Sequence, residues 1–181
     1  MSSSTAILQP SKDVQRLLLT SPVGPLLAEY AADGLRTLHF WPQGAHPPAG
    51  TRVEPSRDDV LGWKVAEQLR EYFAGTRTAF DLPLAPAGTE FQRRVWSALC
   101  RIPAGETRSY GQVAAEMGMP RSPRPVGQAN RRNPIPVVIP CHRVLAASGA
   151  LGGYMGSWGD DGESADIKRW LLRHEGAPGA W

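Results

Sequence analysis

A cysteine and a histidine stand side by side at the end of an apolar, proline-rich stretch, NPIPVVIPCHRV, at residues 133–144. A cysteine reacts as its thiolate, and a histidine is the usual base that removes the thiol proton. Neighbouring side chains of an extended chain point apart, so His142 can serve Cys141 only at a turn, which Pro140 favours, or through a bridging water. Glu175, at the end of the helical pattern IKRWLLRHEG, is a candidate to orient the histidine.

These residues alone leave three interpretations of Cys141 open: a buried core thiol, a metal ligand or a nucleophile. A single cysteine after an apolar run more often belongs to the core. A metal site is disfavoured, because the chain has two cysteines and four histidines without C-x-x-C or H-x-x-x-H spacing. His174, beside Glu175, fits a histidine at a helix end better than a metal ligand.

The composition is ordinary for a soluble globular protein, with 181 residues, of which 41% are hydrophobic and 20% charged. We expect no membrane span and no secretory signal, and the two cysteines suit a reducing cytoplasm better than a disulfide framework. Residues 1–87 carry eight basic and nine acidic side chains, whereas residues 91–143 carry nine arginines and two glutamates. The basic segment is consistent with a polyanion-binding surface or with a merely solvated face.

The first half of the chain predicts strands followed by a helix. Strand patterns occur in VQRLLLTS, PLLAEYAA and LRTLHFW, and the tight turns between them indicate a meander. Apolar residues at helical spacing predict a helix over about 56–74 that ends at Gly75. TAFDLPLAP, residues 78–86, is a candidate for one more strand. Nothing in this half is typical of a catalytic site.

The second half predicts three helices after a linker, APAGT, at residues 85–89. Thr89 is placed to cap the first helix. Ser109 and Gln112 have the spacing of a capping box, and the short helix behind them ends near Gly118.

The third helix, SPRPVGQANRR, has Ser122 as its expected cap and Pro123 at its first position, and it ends near Arg132. Two short helices joined by a turn with glycine are typical of a helix-turn-helix, although helix pairs without DNA-binding function also have this pattern. The prolines of the following stretch are expected to bracket a short strand that leads to Cys141.

The motifs, in their order along the chain, resemble the O6-alkylguanine-DNA alkyltransferase family of direct-reversal DNA repair proteins. The segments that carry the resemblance are GETRSYGQVA, RPVGQANRRNPIPVVIPCHRV, SGALGGY and KRWLLRHEG. The resemblance is close over residues 89–176 and holds only in outline over residues 14–85. It implies a ribonuclease-H-like α/β domain over residues 1–85, without activity of its own. A winged-helix-like helix-turn-helix domain over residues 86–181 would bind DNA and accept the alkyl group.

The resemblance also implies a reaction. Family members flip O6-alkylguanine out of double-stranded DNA and transfer its alkyl group to a cysteine in a single turnover. The matching cysteine here is Cys141. O4-alkylthymine is an expected further substrate. His142 would take the thiol proton through a water, Glu175 would orient His142, and Tyr110 would donate a proton toward guanine N3. The reaction needs no cofactor and no metal. The expected partner is double-stranded DNA, bound by a monomer, with cooperative binding left open.

Further residues match family positions that bind the base or the DNA. Arg124 matches the arginine that fills the gap left by the flipped base, and Asn133 matches an asparagine that ties the helix-turn-helix to the active site. The carbonyl of Val144, with that of Cys141, would read the guanine amino group. The remaining expected contacts are Tyr154 and Met155 at the base and Ser122, Gly127, Ala129 and Arg131 at the DNA.

The sequence departs from the family pattern after Tyr154. Met155 stands in place of a serine whose backbone N–H is the expected contact, and about seven residues, some of them acidic, are inserted. We expect a longer loop over residues 155–166, which either gates the base or only caps the last helix. Pro125 replaces a commoner alanine and is expected to stiffen the first turn of its helix. The zinc-binding cysteines of some members are absent.

Two rival functions belong to other classes. A non-catalytic damage-binding protein of the alkyltransferase-like type would lack the cysteine, so Cys141 argues against it. A cysteine hydrolase that uses Cys141, His142 and Glu175 would turn over many times, whereas an alkyl acceptor is consumed because a thioether has no leaving group.

Overall fold

The computed structural model describes residues 14–154 and 161–179. Its first part is an antiparallel sheet of three strands, β1 (Gln15–Leu19), β2 (Leu26–Ala31) and β3 (Gly34–Phe40), in the order β1-β2-β3. The predicted meander is therefore confirmed. Gly34 is required where β3 begins, because its φ is 139° and a Cβ there would lie 2.5 Å from the carbonyl oxygen of Pro83.

The helix α1 (Val60–Phe73) buries one face in the same core as the sheet. It begins four residues later than the predicted Ser56, because the Asp59 carboxylate caps it by accepting a hydrogen bond from the backbone N–H of Gly62. Tyr30 of β2 donates a hydrogen bond of 2.6 Å to the same carboxylate and so fixes the start of α1 to the sheet.

The predicted strand over residues 78–86 is wrong. A single bridge joins Leu35 of β3 to Leu84, with hydrogen bonds from Leu35 N to Pro83 O (2.8 Å) and from Ala85 N to Leu35 O (2.9 Å). Proline has no N–H to donate, so Pro83 and Pro86 interrupt the ladder on either side of this bridge.

The second part of the structure consists mainly of helices: α2 (Glu90–Leu99), α3 (Tyr110–Glu116), α4 (Pro123–Arg131) and α5 (Glu163–His174). Two short strands, β4 (Arg108–Ser109) and β5 (Val144–Leu145), pair in parallel. Both predicted N-terminal signals, Thr89 and Ser109, form complete capping boxes. Ser122 does not cap α4 through its side chain. Its ψ is 36°, so its backbone lacks the extended conformation that Thr89 and Ser109 adopt as caps.

Helices α3 and α4 form the predicted pair, and both pack against α2. The indole N–H of Trp96 in α2 donates a hydrogen bond of 2.9 Å to the carbonyl of Ala129 in α4. The Ala129 side chain is 3% exposed and belongs to the core, which corrects the expectation that it contacts DNA. One hydrophobic cluster includes Leu38 and Tyr72 of the first part and Trp96 and Cys141 of the second, so burial of apolar surface joins the two parts.

Candidate active site

Cys141 begins a short 3₁₀ turn, Cys141–Arg143, directly after Pro140. A turn after Pro140, one of the two arrangements that would let His142 serve Cys141, is therefore present. Cys141 is 4% exposed and lines a cavity of about 610 Å³ together with residues of α3, α4 and the segment 146–154. The thiol thus lies inside the protein but borders a space of the size of a small-molecule site.

The segment before Cys141 is a series of turns, so the predicted short strand is wrong. Val137 has a φ of 74°, and the N–H of Ile139 bonds the carbonyl of Ile135 at 2.8 Å. The Asn133 side chain closes this segment, since its Nδ2 donates to Ile139 O at 2.8 Å and its Oδ1 accepts from Ile135 N at 3.0 Å. Prolines remove the donors that a strand would need, and one carboxamide supplies hydrogen bonds in their place.

His142 and Glu175 form the pair that the sequence predicted. Nε2 of His142 lies 2.9 Å from Oε1 of Glu175, and both side chains are buried. Because a carboxylate only accepts hydrogen bonds, Nε2 carries the proton and Nδ1 is the basic atom of the ring. Within the described residues, the buried Nδ1 has no hydrogen-bond partner. This atom is therefore available to take a proton.

Arg143, whose part in the site the sequence analysis missed, also binds the Glu175 carboxylate. Its Nε donates to Oε2 at 2.9 Å and its Nη2 to Oε1 at 2.8 Å, a bidentate ion pair. Burial raises the pKa of Glu175, but the hydrogen bonds and charges of His142 and Arg143 outweigh it and hold this pKa well below its usual range. Glu175 is therefore a carboxylate at any physiological pH.

The thiol and its base are both neutral at rest. Burial raises the pKa of Cys141 and outweighs the hydrogen bonds from Asn133 and Tyr154 and the charge of Lys168, which act in the opposite direction. Burial also lowers the pKa of His142, against the raising effect of Glu175. Cys141 is thus a thiol that must lose its proton during a reaction, and His142 is a neutral base that can receive it.

Two tyrosines lie against the cavity. Tyr110, the first residue of α3, points its hydroxyl toward Gly152 O at 3.4 Å, and burial, followed by the nearby Cys141, raises its pKa to about 12. Tyr154 is 4% exposed, and burial raises its pKa well above the ordinary value. Both phenols therefore keep their protons and can act as donors near the thiol.

Lys168 of α5 is a buried cation that the sequence analysis did not single out. It is fully buried, and its ammonium group donates hydrogen bonds to the carbonyls of Val144 (2.7 Å), Leu151 and Gly153 (3.2 Å). These contacts fix the segment that forms one wall of the cavity. The sequence signal for this role was the position of the lysine. It lies beside Ile167 and one turn before Leu171 and Leu172, on the buried face of α5.

Replacement of Lys168 by methionine is expected to destabilise the protein by about 2–4 kcal/mol, because three buried carbonyls lose a charged donor. Chemical denaturation monitored by circular dichroism measures this loss. The matched control is Lys64→Met, at an exposed position of α1, for which we expect a change of at most about 0.5 kcal/mol. Equal stability of the two variants would contradict the structural role of Lys168.

The mouth of the cavity lies beside α4. Arg124 and Arg131 are exposed and line it, as does Gly127, where a Cβ would lie 3.7 Å from the Tyr110 ring. Ser122 is half-buried and precedes Pro123, which lines the cavity. Val144 is fully buried and is not among the described residues that line the cavity. Six of the thirteen predicted site residues thus line one space: Tyr110, Arg124, Gly127, Arg131, Cys141 and Tyr154.

Met155 and residues 155–160 of the predicted loop lie outside the described residues. The predicted end of the loop at residue 166 is wrong, because α5 already begins at Glu163. Glu163 and Asp166 occupy the first turn of α5, where carboxylates interact favourably with the helix dipole. The acidic residues from Glu163 onward are therefore part of the helix.

Three further properties of the described residues concern disulfides, metal ions and membranes. Both Cys100 and Cys141 are free thiols. Across residues 14–154 and 161–179, there is no group of three or more His, Cys, Asp or Glu side chains that could hold a metal ion. In the same part of the chain, every helix is too short or too polar to cross a bilayer.

The fold and the site together define a DNA-repair alkyltransferase as the class of protein. Residues 16–86 match the family model of the 6-O-methylguanine DNA methyltransferase ribonuclease-like domain, and residues 90–177 match that of its DNA binding domain. The chain belongs to the methylated-DNA–protein-cysteine methyltransferase family. The predicted family and the predicted fold class, a ribonuclease-like domain followed by a DNA-binding domain, are therefore confirmed.

Individual relatives agree with this assignment. The methylated-DNA–protein-cysteine methyltransferase of Methanosarcina barkeri is 43% identical over 87% of this chain and 94% of its own length. The crystal structure of the Mycobacterium tuberculosis O6-methylguanine methyltransferase has a TM-score of 0.76 and 38% identity, and covers 93% of this chain and 97% of that one. The M. tuberculosis OGT structure in complex with DNA has a TM-score of 0.73 and 40% identity, with 91% and 96% covered.

Proposed function

We propose that this protein repairs O6-alkylguanine in double-stranded DNA by transferring the alkyl group to Cys141 in a single turnover. The observation that carries the proposal is a buried thiol on a cavity of about 610 Å³ whose mouth lies beside the arginine-bearing helix α4. The family and the DNA complex of the M. tuberculosis relative support it. O4-alkylthymine is the second proposed substrate, since it also carries its alkyl group on an exocyclic oxygen.

The proposed chemistry is one displacement. Nδ1 of His142 takes the thiol proton through a water, and the Glu175 carboxylate at Nε2 stabilises the resulting imidazolium. The Cys141 sulfur forms a bond to the alkyl carbon while the bond from that carbon to O6 breaks. The electron pair of the broken bond stays on the guanine, and the Tyr110 hydroxyl donates a proton toward N3. The product is a thioether, which cannot be released.

Access to the thiol requires that the base leave the duplex. A side chain that is 4% exposed cannot reach an alkyl group inside a base stack, so the nucleotide must rotate into the cavity. Arg124, in the first turn of α4, is proposed to fill the gap in the stack. Asn133 keeps the Cys141 turn attached to α4, and Tyr154 and Met155 are proposed to contact the flipped base.

The DNA surface is proposed to be the exposed side of α4 and the residues before it. Ser122, Gly127 and Arg131 are the proposed contacts beside Arg124. The backbone carbonyl of Cys141, on the cavity, is proposed to read the guanine amino group, and the buried Val144 carbonyl, which already accepts a hydrogen bond from Lys168, is proposed to do so through its second lone pair. Nine arginines against two glutamates over residues 91–143 give this region the charge that binds phosphates. The affinity of the protein for DNA should therefore fall steeply as the salt concentration rises.

Arg124→Ala is expected to slow repair of a duplex substrate by about 10-fold or more, since the flipped state loses its plug, while the reaction with free O6-benzylguanine keeps its rate. Single-turnover rates with the two substrates measure the difference. The control is Arg57→Ala, an exposed arginine of the first domain, which should change neither rate. Equal losses with duplex and free base would refute the plug role of Arg124.

The stoichiometry tests the proposed function against a cysteine hydrolase. With an excess of duplex carrying labelled O6-methylguanine, we expect transfer to stop at one methyl group per protein molecule. Continued formation of repaired DNA beyond that point would contradict an alkyl acceptor and favour a hydrolase.

The setting of the reaction is proposed from the same features. We assign residues 1–85 to the first domain and residues 86–181 to the DNA-binding and acceptor domain, and we propose that a monomer binds DNA. A thiol that must stay reduced suits the cytoplasm.

A further inference from the structure

We propose that Tyr72, in helix α1 of the N-terminal domain, is a positioning residue for the His142–Glu175 pair. The inference rests on the proposed role of that pair in thiol activation. It gives the N-terminal domain, for which the sequence implied only a structural role, a part in the chemistry of the other domain.

The geometry that carries the inference is a shared oxygen atom. The Tyr72 hydroxyl donates a hydrogen bond of 2.8 Å to Oε1 of Glu175. The same Oε1 lies 2.9 Å from Nε2 of His142 and accepts from Nη2 of Arg143 at 2.8 Å. A donor from the N-terminal domain therefore acts on the atom through which Glu175 holds the base.

Tyr72 is itself held in place, with 1% of its surface exposed. Its carbonyl accepts a hydrogen bond of 2.6 Å from Nε2 of His174, the residue before Glu175. Its ring packs against Phe73, Phe80 and His174, with centroid distances of 5.2, 5.3 and 5.2 Å. The aromatic cluster and the hydrogen bond from His174 thus hold Tyr72 against the end of α5.

The hydroxyl of Tyr72 acts as a permanent donor. Burial, followed by the charge of Glu175, raises the pKa of this phenol far above its ordinary value. Each donor on Oε1 withdraws charge from it and weakens its attraction for a protonated His142. The hydroxyl therefore orients the carboxylate and keeps the imidazole less basic, so that the ring stays neutral and ready to accept the thiol proton.

Several other charged or titratable groups face this pair. Arg143 comes from the same turn, Lys168 and His174 come from α5, and Cys141 and Tyr154 lie on the cavity side. Substitution of the Tyr72 hydroxyl alone leaves all of them in place. A change in the pKa of His142 in such a variant is then caused by the loss of the Tyr72 hydroxyl.

The test is Tyr72→Phe, with Tyr30→Phe as the matched control. Tyr30 is a second buried tyrosine of the same domain, and it donates a hydrogen bond of 2.6 Å to Asp59, outside the active site. NMR of the imidazole measures the pKa of His142, and single-turnover alkyl transfer at several pH values gives the pH–rate profile. In Tyr72→Phe we expect the pKa of His142 to rise by about one unit, and the acidic limb of the profile to move by the same amount. Tyr30→Phe should leave both unchanged.

A second substitution keeps the inference testable if Tyr72→Phe does not fold. Incorporation of 3-fluorotyrosine at position 72 makes the phenol a stronger donor with nearly the same shape, and the pKa of His142 should then fall. An unchanged pKa in the folded variants, or an equal change in Tyr30→Phe, would overturn the inference. Failure of the wild-type protein to become alkylated at Cys141 would instead refute the proposed function, and the NMR measurement does not depend on that reaction.

Discussion

Cys141→Ser is expected to lower the rate of alkyl transfer by a factor on the order of 10³ or more and to leave DNA binding unchanged. Serine has nearly the same shape, so the buried turn and the DNA surface beside α4 should persist. Its hydroxyl is a far weaker nucleophile than a thiol, and a neutral histidine cannot compensate for this difference. Labelled transfer from an O6-methylguanine duplex and an electrophoretic mobility shift measure the two properties.

Cys100 offers the matched control for this experiment. It is the other free cysteine of the chain and lies just after α2, outside the residues that line the cavity beside Cys141. Cys100→Ser should retain both transfer and binding. Transfer by Cys141→Ser, or its loss in Cys100→Ser, would contradict the assignment of Cys141 as the acceptor.

Glu175→Gln is expected to have the second largest effect, on both rate and stability. The rate should fall about 10²-fold or more, because the imidazolium formed on His142 loses its counter-charge. The free energy of unfolding should fall by about 3–5 kcal/mol, because Arg143, 5% exposed, becomes a buried charge without its partner. Single-turnover kinetics and urea unfolding at neutral pH measure these losses.

The pH dependence of stability provides a further check on this variant. The pKa of Glu175 is lower in the folded protein than in the unfolded chain. Its contribution is therefore fully present above the unfolded pKa of about 4.3 and is lost as the pH falls below that value. In Glu175→Gln, the free energy of unfolding should lack this part of its decrease at acid pH. The control is Glu71→Gln, which breaks a more exposed ion pair with Arg77 and should cost at most about 1 kcal/mol. A Glu175→Gln protein as stable as this control would contradict the structure's account of the pair.

Features encoded by neighbouring residues could be predicted from the sequence. The capping boxes at Thr89 and Ser109 and the helix pair α3–α4 depend on spacings of three to four residues, and the structure has them. The Cys141, His142 and Glu175 assignments came from motif order and family resemblance. Ser122 shows the limit of a local rule, because the preceding turn leaves its backbone in a conformation that does not support a side-chain cap.

Features that depend on distant contacts could not be predicted. Tyr72 and Glu175 are 103 residues apart, and Tyr72 looks in the sequence like any apolar residue of the α1 stripe. The partners of Lys168 are backbone carbonyls, which carry no sequence signature. The run before Cys141 looked like a strand because it is apolar and β-branched, but its prolines and the Asn133 carboxamide replace the strand ladder with turns.

The central claim is that Cys141 receives the alkyl group from damaged DNA. Peptide mapping by mass spectrometry, after incubation with a duplex that contains one O6-methylguanine, tests it most directly. We predict one methyl group, on the peptide that contains Cys141, and an unmodified guanine restored in the DNA. A methyl group on another residue, or no methylated peptide despite intact DNA binding, would contradict the account.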